Sequence, residues 1–176
     1  RVFDARETDA HVENAFFAGW RNALAPRLQR AGKGGTALQI IEDAGRPVLE
    51  MAERIPALVI AGDASWGDYE VACDVRCLAA EGFPYPHDEA TWDFQAKVGV
   101  AFRVQDSRRH YFAGFQRGRL LVIAARENAN WIVINAAPFT VDRNRFYHLK
   151  AVCRGDVIEI FVDGAKRLTA ADPRWC

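Results

Sequence analysis

Side chains that make directional hydrogen bonds recur at alternate positions of two stretches close together in the sequence. The stretches are KVGVAFRVQ, residues 97–105, and HYFAGFQ, residues 110–116. Because alternate side chains of a strand point to the same face, each stretch predicts one apolar face and one outward face. The predicted outward face carries Gly99, Ala101, Arg103, Gln105, His110, Phe112, Gly114 and Gln116.

The predicted outward face has the chemistry to bind a polar ligand. Arg103, His110 and Gln116 offer a planar cation, an imidazole and an amide, which suit hydroxyl groups or a carboxylate. The small residues between them would let a ligand approach the backbone closely. The alternative is a solvated sheet face in which Arg103 pairs locally and the small residues mark a bend.

The segment AAEGFPYPHDEATWDFQ, residues 79–95, is a long connection of the kind that is usually functional or disordered. Its four aromatic residues disfavour disorder. Tyr85 and Trp92 suit stacking on the apolar face of a sugar ring, and the alternative is that they cap an open end of a core. Trp131 lies at a predicted strand start. It either lines a ligand-binding cleft or packs at the rim of the core. Trp66 is interpreted as a packing residue.

Catalytic and metal-binding patterns are weak. Glu70 and Asp74 share a predicted strand face about 13 Å apart. Glycoside hydrolysis needs two carboxylates about 5 Å apart for retention, or about 6.5–9.5 Å apart for inversion. His87-Asp88-Glu89 has metal-ligating atoms, but three consecutive residues rarely converge on one ion. We therefore predict no catalytic residue and no metal ligand.

The elements that must position these residues are short strands. Alternation with a period of two dominates the chain, and some nine or ten strands separated by turn residues predict an all-β fold of two antiparallel sheets. One such strand, in GDVIEIFVDG, places Ile158, Ile160 and Val162 on one side. We predict a single β-sandwich domain over residues 1–176. The ending ADPRWC indicates that the final strand is missing or that the chain is cut from a longer one.

Composition excludes some classes of protein. Lys+Arg and Asp+Glu are 23 each, so the formal net charge is zero, which argues against a nucleic-acid-binding protein. The longest apolar runs are too short to span a membrane. The first residues do not resemble a signal peptide, although one could already have been removed, so the compartment stays open. We expect Cys73, Cys77 and Cys153 to be buried thiols, with a disulfide as the alternative.

The order of strands resembles the concanavalin A-like lectin/glucanase superfamily, in particular laminin-G-like modules and modules attached to bacterial glycoside hydrolases. The resemblance covers roughly residues 57–172. It rests on SWGDYEVACDVRC, KVGVAFRVQDSRRHYFAGFQRGRLLVIAA and RFYHLKAVCRGDVIEIFVDGAKRL. It implies a jelly roll of two curved sheets with a concave face that holds carbohydrate. It also implies a last strand after Pro173, and it leaves a calcium site open.

Three functions are compatible with these sequence features. The first is a carbohydrate-binding module, or the lectin-like part of a carbohydrate-active enzyme, with glycan contacts from Arg103, His110, Gln116, Tyr85, Trp92 and Trp131. The second is a glycan-degrading hydrolase or lyase, which a histidine and a carboxylate bonded together in the cleft would favour. The third is a protein-interaction domain of the laminin-G type, which a flat apolar patch would favour. The oligomeric state stays open, because an unpaired sheet edge can pair with another chain.

Overall fold

The computed structural model describes residues 15–17, 20–22, 38–51, 58–60, 66–77, 97–116, 118–142 and 145–176. The chain divides into two compact units, Arg1–Asp63 and Ala64–Cys176. The described residues form strands and turns and contain no helix. Consequently, no described helix could cross a bilayer. The single domain over residues 1–176 stays a prediction.

The first unit contains two small antiparallel sheets. Its strands are β1 (Ala15–Phe17), β2 (Trp20–Asn22), β3 (Leu38–Asp43), β4 (Arg46–Met51) and β5 (Val59–Ile60). One sheet has the order β1-β2-β5, and the other is the β3-β4 hairpin. The hairpin turns at Ala44 and Gly45, both with positive φ, which matches the twist of the flanking strands.

The second unit is a sandwich of two four-stranded antiparallel sheets. Its strands are β6 (Tyr69–Val75), β7 (Lys97–Asp106), β8 (Arg109–Gln116), β9 (Leu120–Glu127), β10 (Asn130–Pro138), β11 (Tyr147–Arg154), β12 (Val157–Val162) and β13 (Ala165–Ala171). The sheet orders are β10-β9-β8-β7 and β13-β12-β11-β6. The prediction of an all-β sandwich is confirmed.

The core lies between the two sheets of the second unit. From β12 it takes Ile158, Ile160 and Val162, which are fully buried, as their alternation predicted. From β8 it takes Tyr111, whose hydroxyl donates to Asp172 Oδ1 at 2.9 Å. This bond ties the residues after β13 to the core. The four cysteines are free thiols, and of these Cys153 is fully buried in the core.

The edge of β13 is linked to the opposite sheet. Asn135 Nδ2 of β10 donates to the backbone oxygen of Thr169 at 2.8 Å. Such a side-chain bond satisfies a carbonyl on an edge strand, which would otherwise be available for pairing with another chain. The two sheets are therefore joined at this edge by a hydrogen bond as well as by the core.

Candidate functional site

Arg103 does not lie on the outward face of β7 where strict alternation would place it. The pairing of β7 with β8 is irregular between Phe102 and Asp106, and Arg103 has a φ of +48°. This backbone conformation is uncommon for a residue with a side chain. It breaks the alternation, and the Arg103 side chain is only 2% exposed. The predicted exposed position of Arg103 is therefore wrong, because alternation does not anticipate the irregularity.

The guanidinium of Arg103 is buried with only part of its hydrogen-bonding capacity used. Its Nη1 donates to Cys176 Sγ at 3.7 Å. Its Nη2 lies 3.5 Å from Asp68 Oδ1, an ion pair without hydrogen-bond geometry. Neither Nε nor Nη2 has an acceptor within the described part of the chain. Buried charged donors are usually satisfied, so this group makes Arg103 a candidate site residue.

Two exposed side chains are connected to Arg103, Asp68 directly and Trp66 through Tyr69. Asp68 is 65% exposed in its side chain, and its Oδ1 accepts a hydrogen bond from Gly155 N at 2.7 Å. Trp66 is 48% exposed and meets the Tyr69 ring edge-on at a centroid distance of 5.9 Å. The Tyr69 hydroxyl in turn accepts from the Arg103 backbone N–H. We call Trp66, Asp68, Tyr69 and Arg103 the arginine corner.

Of the four residues of the arginine corner, the sequence identified only Arg103 as a ligand-binding residue. Trp66 was interpreted as a packing residue, yet it is the most exposed of the large hydrophobic side chains that the structure describes. The available signal was its place before Gly67 and Asp68, because a large aromatic residue at a turn before a strand has fewer neighbours than one inside a strand. A β-carbon at Gly67 would meet no atom within 4 Å apart from its two chain neighbours, so the backbone between Trp66 and Asp68 faces open space.

His110 and Trp131 do come together, as neighbours on the face of the β7–β10 sheet opposite the core. Their ring centroids are 5.6 Å apart, and the Phe112 ring lies 6.0 Å from Trp131. The Arg126 guanidinium lies over Trp131 at 5.5 Å. His110 itself is only 5% exposed. Burial first, and then the charge of Arg126, lower the pKa of His110, so the imidazole is held neutral within this cluster.

Gln116 lies on the same face as His110 but at the other end of β8, about 20 Å away along the strand. It is 2% exposed, and its Oε1 has no donor among the described residues. Val122 and Ala124, on the same face of β9, are fully buried. The predicted exposure of His110 and Gln116 is therefore wrong, whereas Gln105 of the predicted outward face is exposed. The continuous apolar run of β9, LLVIAA, is typical of a strand buried on both faces.

The glycines of this face are required by the sheet itself. A side-chain carbon at Gly99 would collide with the backbone of Ala113 and Gly114, and one at Gly114 would collide with the backbone of Val98 and Gly99. The two glycines face each other across the β7–β8 pair. Close approach of neighbouring strands therefore accounts for them, and a ligand is not needed to explain them.

The remaining predictions concern the aromatic loop, a metal site and a histidine bonded to a carboxylate. Tyr85 and Trp92 lie outside the described residues. Within the described ranges no three histidine, cysteine or acidic side chains form a group that could hold a metal ion. Asp74 Oδ1 accepts a hydrogen bond from His148 Nδ1 at 2.8 Å, but both side chains are more than half exposed. This histidine–carboxylate pair lies on an open sheet face, outside any enclosed site that the described residues form.

Comparison with known proteins gives one informative likeness. The structure is similar to that of the carbohydrate binding module CBM66 from Bacillus subtilis, with a TM-score of 0.61 and 18% sequence identity. The match covers 90% of this chain and 82% of that chain. No family model matches the sequence, and no curated protein matches it. At this identity the likeness shows a shared β-sandwich fold.

Proposed function

We propose that this protein is a carbohydrate-binding module and that the arginine corner is where the glycan binds. The observation that carries the proposal is an exposed tryptophan two residues from an exposed carboxylate, backed by a buried, partly unpaired arginine. The printed name of the similar structure, a carbohydrate binding module, supports the same function. We also propose that the sandwich belongs to the concanavalin A-like lectin/glucanase superfamily and is a jelly roll.

The arginine corner has the two kinds of contact that a sugar needs. An aromatic ring offers a flat apolar surface to the C–H groups of a pyranose or furanose, and Trp66 presents such a ring. A carboxylate accepts hydrogen bonds from hydroxyl groups. The hydrogen bond from Gly155 N fixes Asp68 Oδ1, so the carboxylate is oriented before the sugar arrives, which lowers the entropy cost of binding.

A second placement of the glycan, on the β7–β10 face, uses His110, Gln116 and Trp131. The half-buried Trp131 favours it, and Tyr85 and Trp92 would extend it. However, His110 and Gln116 are 5% and 2% exposed, so a sugar could reach them only if the protein rearranged. The arginine corner is therefore the better-supported placement.

The interaction-module function finds less support. The exposed large hydrophobic side chains that the structure describes are Trp66, Val133 and Val157. They lie before β6, within β10 and at the start of β12, and single exposed apolar residues of this kind are normal on protein surfaces. We therefore place the protein-interaction function behind glycan binding.

The test is a glycan-array screen followed by calorimetry on the intact chain, with four variants. Trp66→Ala removes the stacking surface, and Gly67→Gln adds a side chain between Trp66 and Asp68, where a β-carbon would meet no atom within 4 Å beyond its chain neighbours. We expect each to weaken binding at least about tenfold, since aromatic anchors usually contribute more than about 1.4 kcal/mol. Val157→Ala, an exposed apolar residue elsewhere, should leave binding unchanged. Thermal unfolding of each variant confirms that it folds.

The fourth variant, Trp131→Ala, distinguishes the two placements. If Trp131→Ala abolishes binding and Trp66→Ala does not, the glycan lies on the β7–β10 face and the arginine corner is not the site. If the unmodified protein binds no glycan on a broad array, carbohydrate binding itself is wrong and the interaction-module function becomes the next to test.

A further inference from the structure

We infer that the arginine corner selects neutral, hydroxyl-rich sugars and discriminates against sugars that carry a carboxylate. This inference rests on the proposed glycan-binding function and names the ligand class of the same site. It follows from the order in which the two charges of the corner are arranged, with the negative group outermost and the positive group behind it.

The two charges differ sharply in exposure. The Asp68 side chain is 65% exposed, whereas that of Arg103 is 2% exposed. Their closest atoms are 3.5 Å apart, so the two charges form an ion pair that is neutral overall. Because only the carboxylate is exposed, a ligand meets the negative charge first. The buried neighbours add no charge at neutral pH, because burial raises the pKa of Tyr69 and raises the pKa of Cys153 to about 11.

The hydrogen-bonding capacity of the corner matches a hydroxyl better than a carboxylate. Asp68 Oδ2 has no hydrogen-bond donor among the described residues, and an ionised carboxylate only accepts. The ligand group must therefore donate, which a hydroxyl does and an ionised carboxylate cannot. An acidic sugar placed here would set two negative groups against each other.

Repulsion between two carboxylates about 4 Å apart in water corresponds to about a fivefold loss of affinity, and partial burial increases it. The inference therefore predicts at least fivefold weaker binding when a neutral sugar is replaced by its uronic acid. Galactose against galacturonic acid, and glucose against glucuronic acid, are matched pairs that differ only in the oxidation of one carbon. Short oligosaccharides of each pair are suitable probes for calorimetry.

The decisive variant is Asp68→Asn, which keeps an oxygen to accept from Gly155 N but removes the charge. Arg103 is then left without its counter-charge, and the corner becomes positive. We expect binding of the neutral sugar to weaken, while the ratio of acidic to neutral affinity rises at least fivefold. Asp74→Asn is the matched control, because it removes a similarly exposed carboxylate from another place and should leave both affinities unchanged.

Salt gives a second measurement that does not depend on a variant. Discrimination that arises from charge should shrink as ionic strength rises from about 0.01 M to about 1 M, because screening shortens the range of the interaction. Discrimination that arises from shape would not change. Both series are measured on the same protein preparation.

The outcomes separate this inference from the proposed function. If Trp66→Ala removes binding but the unmodified protein prefers the uronic acids, or if Asp68→Asn weakens both members of a pair equally, the selection for neutral sugars is wrong and glycan binding stands. If no member of either pair binds, nor any other glycan on the array, the proposed function and this inference fall together.

Discussion

The ion pair between Asp68 and Arg103 should respond asymmetrically to removal of its two members. Asp68→Asn leaves a buried guanidinium without a counter-charge, whereas Arg103→Met leaves an exposed carboxylate that water can solvate. At 3.5 Å the Coulomb energy ranges from about 1 kcal/mol in water to about 5 kcal/mol at an effective dielectric constant of about 20. Because Asp68 is largely exposed, we expect the solvent-screened end of this range, a destabilisation of about 1 kcal/mol.

Arg103→Met should change the free energy of unfolding by less than about 0.5 kcal/mol, because replacing a buried charge by an apolar side chain of similar length is often neutral. In the double variant Asp68→Asn should have no further effect, which gives a coupling energy of about 1 kcal/mol. Urea unfolding followed by tryptophan fluorescence is a suitable assay. A change of 1 kcal/mol moves the midpoint by roughly 0.5 M.

A larger loss of stability for Arg103→Met than for Asp68→Asn would refute this reasoning. It would mean that the guanidinium stabilises the fold through its own bonds, of which the contact with Cys176 Sγ at 3.7 Å is the main one described. Additive effects in the double variant would show instead that the two charges do not interact in solution.

Three further predictions concern residues outside the corner. Gly114→Ala should destabilise the sandwich by about 1–3 kcal/mol, because the new methyl group collides with the neighbouring strand; a thermal shift within error would contradict this. Because burial lowers the pKa of His110, the unfolded chain binds its proton more readily. The stability from the neutral ring is complete above pH about 6.5 and is lost as the pH falls below that. His110→Phe should flatten this part of the urea-midpoint profile, and an unchanged slope would exclude the effect. Burial also raises the pKa of Cys73 and of Cys153 to about 11, so iodoacetamide at pH 8 should modify the exposed Cys176 well before either, as peptide mass spectrometry would show.

The sequence predicted the second unit well where burial is one-sided. In β12, Ile158, Ile160 and Val162 alternate with residues that are exposed or only partly buried, and all three are in the core. Strand geometry gives the period of two, and each side chain of this strand lies either in the core or towards the surface. The residues of β12 alone are therefore enough to predict which of its side chains are buried. The strands, their antiparallel turns and the all-β class follow from the same rule.

The same alternation predicted that the polar side chains of β7 and β8 are exposed, which is wrong for Arg103, His110 and Gln116. His110 and Gln116 do lie on the face opposite the core, but both side chains are buried there as well. Alternation reports which side chains share a face and cannot report what covers it. The apolar run of β9 was the one local sign that both faces are covered.

By itself, then, the sequence predicted the strands of the second unit, the turns that pair neighbouring strands and the side of each strand that faces the core. These features depend on residues that are close together along the chain. Only the tertiary structure decided the candidate site. Trp66, Asp68, Arg103 and Gly155 come from three separate parts of the chain, and a local irregularity in β7 buries the Arg103 side chain beside Asp68. A conformation with positive φ at an arginine carries a local cost, and only the packing of residues distant in sequence can hold it there.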